Sequence, residues 1–175
     1  FALEEVKEND TVKTNSLFKL SKAQIINQAF KFHSEGKISE AAKYYQNFIN
    51  LGFSDHRIFS NYGIILKELG NLKDAESLLR KAIKLKPDFV EAHSNLGTIL
   101  KELGNLVEAE LLLRKAIELK PDFANAHFNL GNILRIKGEL NKAQLSSEKL
   151  MAIRPWSIIG SYSFNRKMLS NLTHI

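Results

Sequence analysis

Cysteine is missing from all 175 residues. Its absence removes disulfides, thiolate nucleophiles and zinc–thiolate centres together, and the lack of a disulfide framework suits a reducing, cytoplasmic compartment. No run of eighteen apolar residues occurs, and the opening stretch FALEEVKEND is charged where a signal peptide needs an apolar core, so no segment is expected to cross a membrane. Pro, Ser and Gly are nowhere dense enough to make a disordered tract, and the apolar fraction of 44% is that of a chain able to bury a core. The chain opens on Phe1 instead of Met, which suits a processed chain or a piece of a longer one.

What is present is charge and repetition. A net charge of +6 would suit an anionic partner if the cations clustered. They do not: RKAIKLK stands beside KDAES, and no aromatic-basic interleaving of the kind that stacks bases appears, so nucleic acid is not the expected partner.

The segment GNLKDAESLLRKAIKLKPDF returns 34 residues later as GNLVEAELLLRKAIELKPDF. Laid out in rows of 34 beginning at Lys22, His56, Val90 and Ala124, the chain aligns without a gap over residues 22–55, 56–89, 90–123 and 124–157. Column 8 reads Ala29, Gly63, Gly97, Gly131; column 15 reads Gly36, Gly70, Gly104, Gly138; column 20 reads Ala41, Ala75, Ala109, Ala143. Small residues recur where two helices must touch. Column 32 gives Phe53, Pro87, Pro121 and Pro155, and a proline, lacking an amide donor, follows a helix end. Within a row the apolar residues keep helical spacing, as in Leu96, Ile99, Leu100 and Leu103, then Leu106, Ala109, Leu112, Leu113, Ala116 and Leu119. Each row therefore predicts two amphipathic helices, over 22–35 with 39–51, 56–69 with 72–85, 90–103 with 106–119 and 124–137 with 140–153. Asn71 with Asp74, Asn105 with Glu108 and Ser21 with Gln24 are the expected N-terminal caps.

These rows resemble the tetratricopeptide repeat family, whose signature of W-x2-L-G-x2-Y, then A-x3-F, then P spans a 34-residue helix-turn-helix. The third row carries His93, Leu96, Gly97, Leu100, Ala109, Leu113, Ala116 and Pro121 at those places, and the second Phe59, Tyr62, Gly63, Leu66, Ala75, Leu79, Ala82 and Pro87. The fourth keeps His127, Leu130, Gly131, Leu134, Ala143 and Pro155 but departs at Ser147 and Leu150; the first keeps Phe32, Gly36, Ala41 and Tyr45 but departs at Gln28, Ala29, Phe48 and Phe53, so its last turn is expected to pack less regularly. The resemblance implies an all-α fold, a right-handed α-solenoid of four helix-turn-helix repeats, since one such pair cannot bury its apolar stripe alone. Residues 1–21 are expected to be a polar arm, and 158–175, with Ile158, Tyr162, Leu169 and Leu172 at helical spacing, a C-terminal capping helix.

Chemistry is thin on such a chain. His93 and His127 occupy the aromatic place of the signature, one repeat apart, and read as packing residues, with no convergent partners for a metal or a general base. Lys67-Glu68 and Lys101-Glu102 recur with the repeat and read as solvated helix faces, and Gly63 and Gly97 lie mid-helix with no strand before them, unlike a phosphate-cradling loop. No enzyme and no cofactor are expected.

Column 6 holds Asn27, Asn61, Asn95 and Asn129, on the first helix of each row. Asn is a mediocre helix-interior residue, so four in one column ask for a reason. In the family the first helices line a concave face, and an amide there can meet both the N–H and the C=O of an extended peptide. The column looks like the asparagine ladder in the repeats of O-linked N-acetylglucosamine transferases. The competing reading is a brace between neighbouring helices. Lys67, Lys101 and Arg135 in column 12, Phe128 in column 5 and Asn132 in column 9 complete the expected peptide-binding set. The Lys-rich grip that the chaperone-binding branch closes on a C-terminal carboxylate is missing, because Ser60, Ile64, Asn125 and Asn129 fill those slots. The expected function is a non-catalytic protein–protein interaction scaffold with a protein or peptide ligand. The alternative is the substrate-recruiting arm of a larger enzyme, for example a glycosyltransferase, whose catalytic domain is not in this chain.

Overall fold

The computed structural model of the protein describes residues 20–153. Within them the chain forms eight α-helices and no strand: α1 Lys22–Ser34, α2 Ile38–Asn50, α3 His56–Glu68, α4 Leu72–Leu85, α5 Val90–Glu102, α6 Leu106–Leu119, α7 Ala124–Ile136 and α8 Leu140–Ile153. They pair as the 34-residue rows require, α1 with α2, α3 with α4, α5 with α6 and α7 with α8. Every boundary falls within one residue of the expected one. The expected capping helix over 158–175 and most of the expected N-terminal arm lie outside the described residues.

Each pair is closed by the same lock. At the end of α3, Gly70 N–H donates to the Lys67 carbonyl at 2.9 Å and Asn71 N–H to the Leu66 carbonyl at 2.8 Å. This is a Schellman turn, and it needs a residue in the left-handed region at the glycine, where φ is +78°. Gly36, Gly104 and Gly138 repeat it with φ of +72°, +83° and +77°. The glycine column is thus a backbone requirement, not a packing one.

The starts of the helices are less uniform. Ser21 and Gln24 form the expected capping box before α1, and the Asn105 side chain accepts from Glu108 N–H at 3.3 Å. Asn71 does not cap: its side-chain amide donates to the Asp74 carboxylate at 2.7 Å and makes no hydrogen bond to the helix N-terminus. Asp55, just before α3, does cap, accepting from Arg57 N–H at 2.8 Å.

Two compact units divide the chain, one ending at Pro87 and the other starting at Asp88. In the first, Ile25, Ala29, Ala41, Tyr45, Phe48, Ile58 and Ile65 make a buried core. As expected, the first repeat departs in its last turn. There α2 stops at Asn50 and a further left-handed glycine, Gly52, turns the chain, while Phe48 packs on Phe53 with ring centroids 5.4 Å apart. In the second unit Gly97 lets α5 meet α6 so closely that an added Cβ would stand 2.9 Å from Leu113 Cγ and 3.1 Å from the Ala109 carbonyl oxygen. The equivalent contact of α7 with α8 is looser, 3.6 Å to Ser146 Cβ and 3.7 Å to the Ala143 carbonyl oxygen at Gly131. On α8 only Ala143 and Ser146 are buried, and Ser147 turns its hydroxyl back to the Ala143 carbonyl at 3.1 Å. The result is a recess of about 370 Å³ lined by Ile117, Leu130, Leu145 and Ser146 with Arg114, Glu118, His127 and Lys149 at its walls.

An ion-pair chain holds the outside of the second unit. Glu110 on α6 takes Arg114 at 2.7 Å and Lys137, in the turn after α7, at 2.6 Å; Lys137 also reaches Glu139, which in turn meets Lys142. The hydrogen bonds from Lys137 and Lys142 hold the Glu139 carboxyl down at about 2, and the bond from Lys137, with Arg114 in support, holds Glu110 below the usual carboxylate range. The same pairing raises Lys137 above the usual ammonium range.

Candidate functional site

On α7 the buried residues are Ala124, Ala126, His127, Leu130, Gly131, Ile133 and Leu134. At 100° per residue these occupy one arc of the helix, which leaves Asn125, Phe128, Asn129, Asn132 and Arg135 together on the other. The same geometry on α5, with Ala92, His93, Ser94, Leu96, Gly97, Ile99 and Leu100 buried, leaves Glu91, Asn95 and Thr98 on the outward arc, with Lys101 at its edge in the last turn, between the directions of Gly97 and Ser94. Since α5 and α7 pack against each other, the two arcs make one polar face in the second unit. Asn95 and Asn129 are half-buried on it.

Among the described residues Asn95 and Asn129 make no side-chain hydrogen bond, and neither does the exposed Asn27 on α1. Asn61 behaves differently. Its amide faces the hydroxyl of Tyr45, a fully buried residue of the preceding repeat. Burial pushes that hydroxyl up, and the Asn61 amide opposes the shift. His33 Nδ1 lies 2.8 Å from the same hydroxyl, so α1, α2 and α3 meet at one polar point. The sequence carried the signal: column 24 reads Tyr45, Leu79, Leu113, Ser147, and only its first member offers a hydroxyl on a side chain long enough to cross to a neighbouring helix.

The remaining expected residues separate in the same way. In the first unit Arg57 binds Asp55 at 2.8 Å and lies 5.2 Å from the Phe30 ring centroid, so its charge is already engaged by the chain's own groups. Lys67 is half-buried and already engaged. In the second unit Lys101 is half-buried with no ion pair among the described residues, and Arg135 is exposed and held only by the Asn132 amide oxygen at 2.8 Å. Phe128 is 56% exposed where the equivalent Ser94 is 2% exposed. It stands at the edge of the face.

The described residues hold no group of three or more His, Asp or Glu side chains placed to bind a metal ion. His127 Nε2 is 2.8 Å from the Pro121 carbonyl oxygen, a link that ties α7 to the turn preceding it. None of the described helices is long and apolar enough to cross a membrane.

Two profiles of tetratricopeptide repeats match the sequence, over residues 66–129 and 124–155, together more than half of its 175 residues. No curated protein sequence matches it. Among solved structures, the MamA protein is similar at 24% identity and a TM-score of 0.68, over 77% of this chain and 73% of that one. MamA from Desulfovibrio magneticus RS-1, from residue 41 to its end, gives 22% and 0.67 over 77% and 76%. YrrB, described as a TPR protein with an unusual peptide-binding site, gives 20% and 0.73 over 94% and 86%. At these identities the likeness is one of fold.

Proposed function

Because the chain belongs to the tetratricopeptide repeat family, we propose that it is a non-catalytic interaction scaffold, and that the face of α5 and α7 holds an extended segment of another protein. The observation that carries the reading is the pair of unengaged amides, Asn95 and Asn129, repeated at one place on two packed helices. A half-buried amide in a helix interior costs local stability and returns nothing unless something binds it. Asn61 supports the reading by contrast, since where a brace is wanted the same column finds Tyr45. That YrrB, of similar fold, has a peptide-binding site fits this assignment.

An amide offers one acceptor and two donor hydrogens, so it can serve a peptide backbone whatever that peptide's side chains are. Each amide–backbone pair is worth about 0.5–1.5 kcal/mol net, since water is released on both sides. Two of them amount to roughly tenfold to a hundredfold in affinity. The test is a peptide array probed with the protein, followed by calorimetry of the peptides retained. Asn95→Ala with Asn129→Ala should weaken them by that factor with the melting temperature unchanged. If the double variant binds equally well and melts several degrees earlier, the two amides are helix braces and the proposal is wrong.

A further inference from the structure

The free face of α5 and α7 carries charge as well as amides, and the charge is of one kind at one end. Of the described arginines, Arg57, Arg80 and Arg114 each grip a carboxylate, at 2.8, 2.9 and 2.7 Å. Arg135 does not; its partner is the neutral oxygen of Asn132. Lys101 stands at the same place one repeat earlier, half-buried and without an ion pair among the described residues. Both close the last turn of their helices, where a cation complements the helix dipole. The dipole accounts for the sign of the charge. It leaves unexplained why a guanidinium that finds an acid at the three other described arginines has been left with an amide. The acid on the same face, Glu91, lies ten residues before Lys101, about 15 Å along the helix, too far to neutralise either cation.

The axes of packed helices stand about 8–10 Å apart, and we take that interval for the step from α5 to α7, from Asn95 to Asn129 and from Lys101 to Arg135. A polyproline-II segment makes one turn in three residues and advances about 9 Å. Every third residue then returns to the same side at the same interval as the helices. Resting on the reading that this face holds an extended peptide, we propose that the partner is an acidic segment with Asp or Glu at two positions three residues apart. Its backbone lies on Asn95 and Asn129, and its two carboxylates on Lys101 and Arg135. Planar guanidinium and carboxylate pair in two parallel hydrogen bonds, which places the stronger contact at Arg135.

The experiment uses the full chain and fluorescent twelve-residue peptides blocked at both ends, containing E-x-x-E, Q-x-x-Q or E-x-x-x-E, at low and raised salt. The E-x-x-E peptide should bind at least tenfold tighter than the other two and weaken as salt is added. Arg135→Gln should reduce E-x-x-E binding about tenfold and leave Q-x-x-Q binding alone, while Lys101→Glu with Arg135→Glu should transfer the preference to K-x-x-K. Circular dichroism of each variant checks the fold. Equal binding of E-x-x-E and Q-x-x-Q, or an Arg135→Gln protein that binds E-x-x-E as the parent does, overturns the acidic partner. If Asn95→Ala with Asn129→Ala still weakens the peptides in that case, the backbone reading stands by itself; if the parent binds none of them while the array yields other ligands, only the acidic inference falls. A peptide with a single acid and a free C-terminus that outbinds the blocked E-x-x-E peptide would move the carboxylate to the chain end and overturn the spacing.

Discussion

Gly97→Ala adds one methyl group to the tightest helix contact described, and the outcome follows from two opposed terms. A helix-interior alanine is favoured over glycine by about 0.5–1 kcal/mol, because glycine loses more backbone freedom on folding. Against that, the new Cβ stands 2.9 Å from Leu113 Cγ and 3.1 Å from the Ala109 carbonyl oxygen, well inside ordinary contact, and the second of these atoms is backbone that cannot swing away. Overpacking of this kind costs about 1–3 kcal/mol. The net expectation is a loss of about 1–2 kcal/mol, several degrees in melting temperature for a chain of this size. Gly131→Ala should do the reverse. Its Cβ meets nothing nearer than 3.6 Å, so the propensity term wins and the protein gains about 0.5–1 kcal/mol. Urea unfolding of both variants beside the parent, followed by far-UV circular dichroism, decides the matter. A Gly97→Ala protein at least as stable as the parent, or a Gly131→Ala protein that loses as much as Gly97→Ala, refutes the assignment of the close contact.

Other changes test other parts of the fold. Ala109→Leu, at a position with no exposed surface, should cost about 1–3 kcal/mol by overpacking, read as a lower urea midpoint. Ser146→Leu restores at the recess the leucine that Leu78 and Leu112 supply in the preceding repeats, and should raise the midpoint by about 0.5–2 kcal/mol. Asn61→Ala removes one polar neighbour of a buried hydroxyl that keeps His33 as its partner, and should lower stability by about 0.5–1.5 kcal/mol with no effect on peptide affinity, as thermal melts and calorimetry would show. Glu110 and Glu139 have lowered pKa values, so the stability they contribute is present above the ordinary carboxylate range and is lost as pH falls through it towards about 2. Lys137→Gln removes the principal cause of both shifts, so its deficit against the parent should be seen at neutral pH and shrink on acidification below about pH 4.5; a deficit that is constant with pH refutes the pairing.

The fold was largely legible because the period of 34 forces one answer at three levels at once: helical spacing of the apolar residues, glycine at each turn and a small residue at each close approach. Helix ends fell within one residue for this reason, since Gly36, Gly70, Gly104 and Gly138 mark the left-handed turn itself. Caps were read less well. Asn71 and Asn105 each stand between Gly and Leu with an acid three residues on, yet only Asn105, followed by the longer Glu108 where Asn71 has Asp74, turns its oxygen to the helix, and capping rules treat the two acids alike. The asparagine column was legible as a column and not as a site. Its members part company over what they meet, the Tyr45 hydroxyl for Asn61 and no hydrogen-bond partner among the described residues for Asn95 and Asn129, and that depends on which residues of one repeat meet the next. The slack in the last pair was visible at Ser147 but not at Ser146, the residue that lines the recess, because a serine at a covered position differs from a solvated one only in its surroundings.

The glycine locks have a consequence for how such a chain can change its length. Each turn is held by its own backbone hydrogen bonds, Gly70 to Lys67 and Asn71 to Leu66 in one repeat, Gly104 to Lys101 and Asn105 to Leu100 in the next, with no call on a distant partner. An insertion or deletion of a few residues inside a helix would carry every following side chain around the axis by 100° per residue and bury the wrong face. A change of one whole period leaves every lock and every apolar stripe in register. Two stretches as alike as Gly70 to Phe89 and Gly104 to Phe123 also give recombination a pair of matching ends one period apart. A change of length in steps of 34 residues would thus be accepted by the polypeptide where few others would.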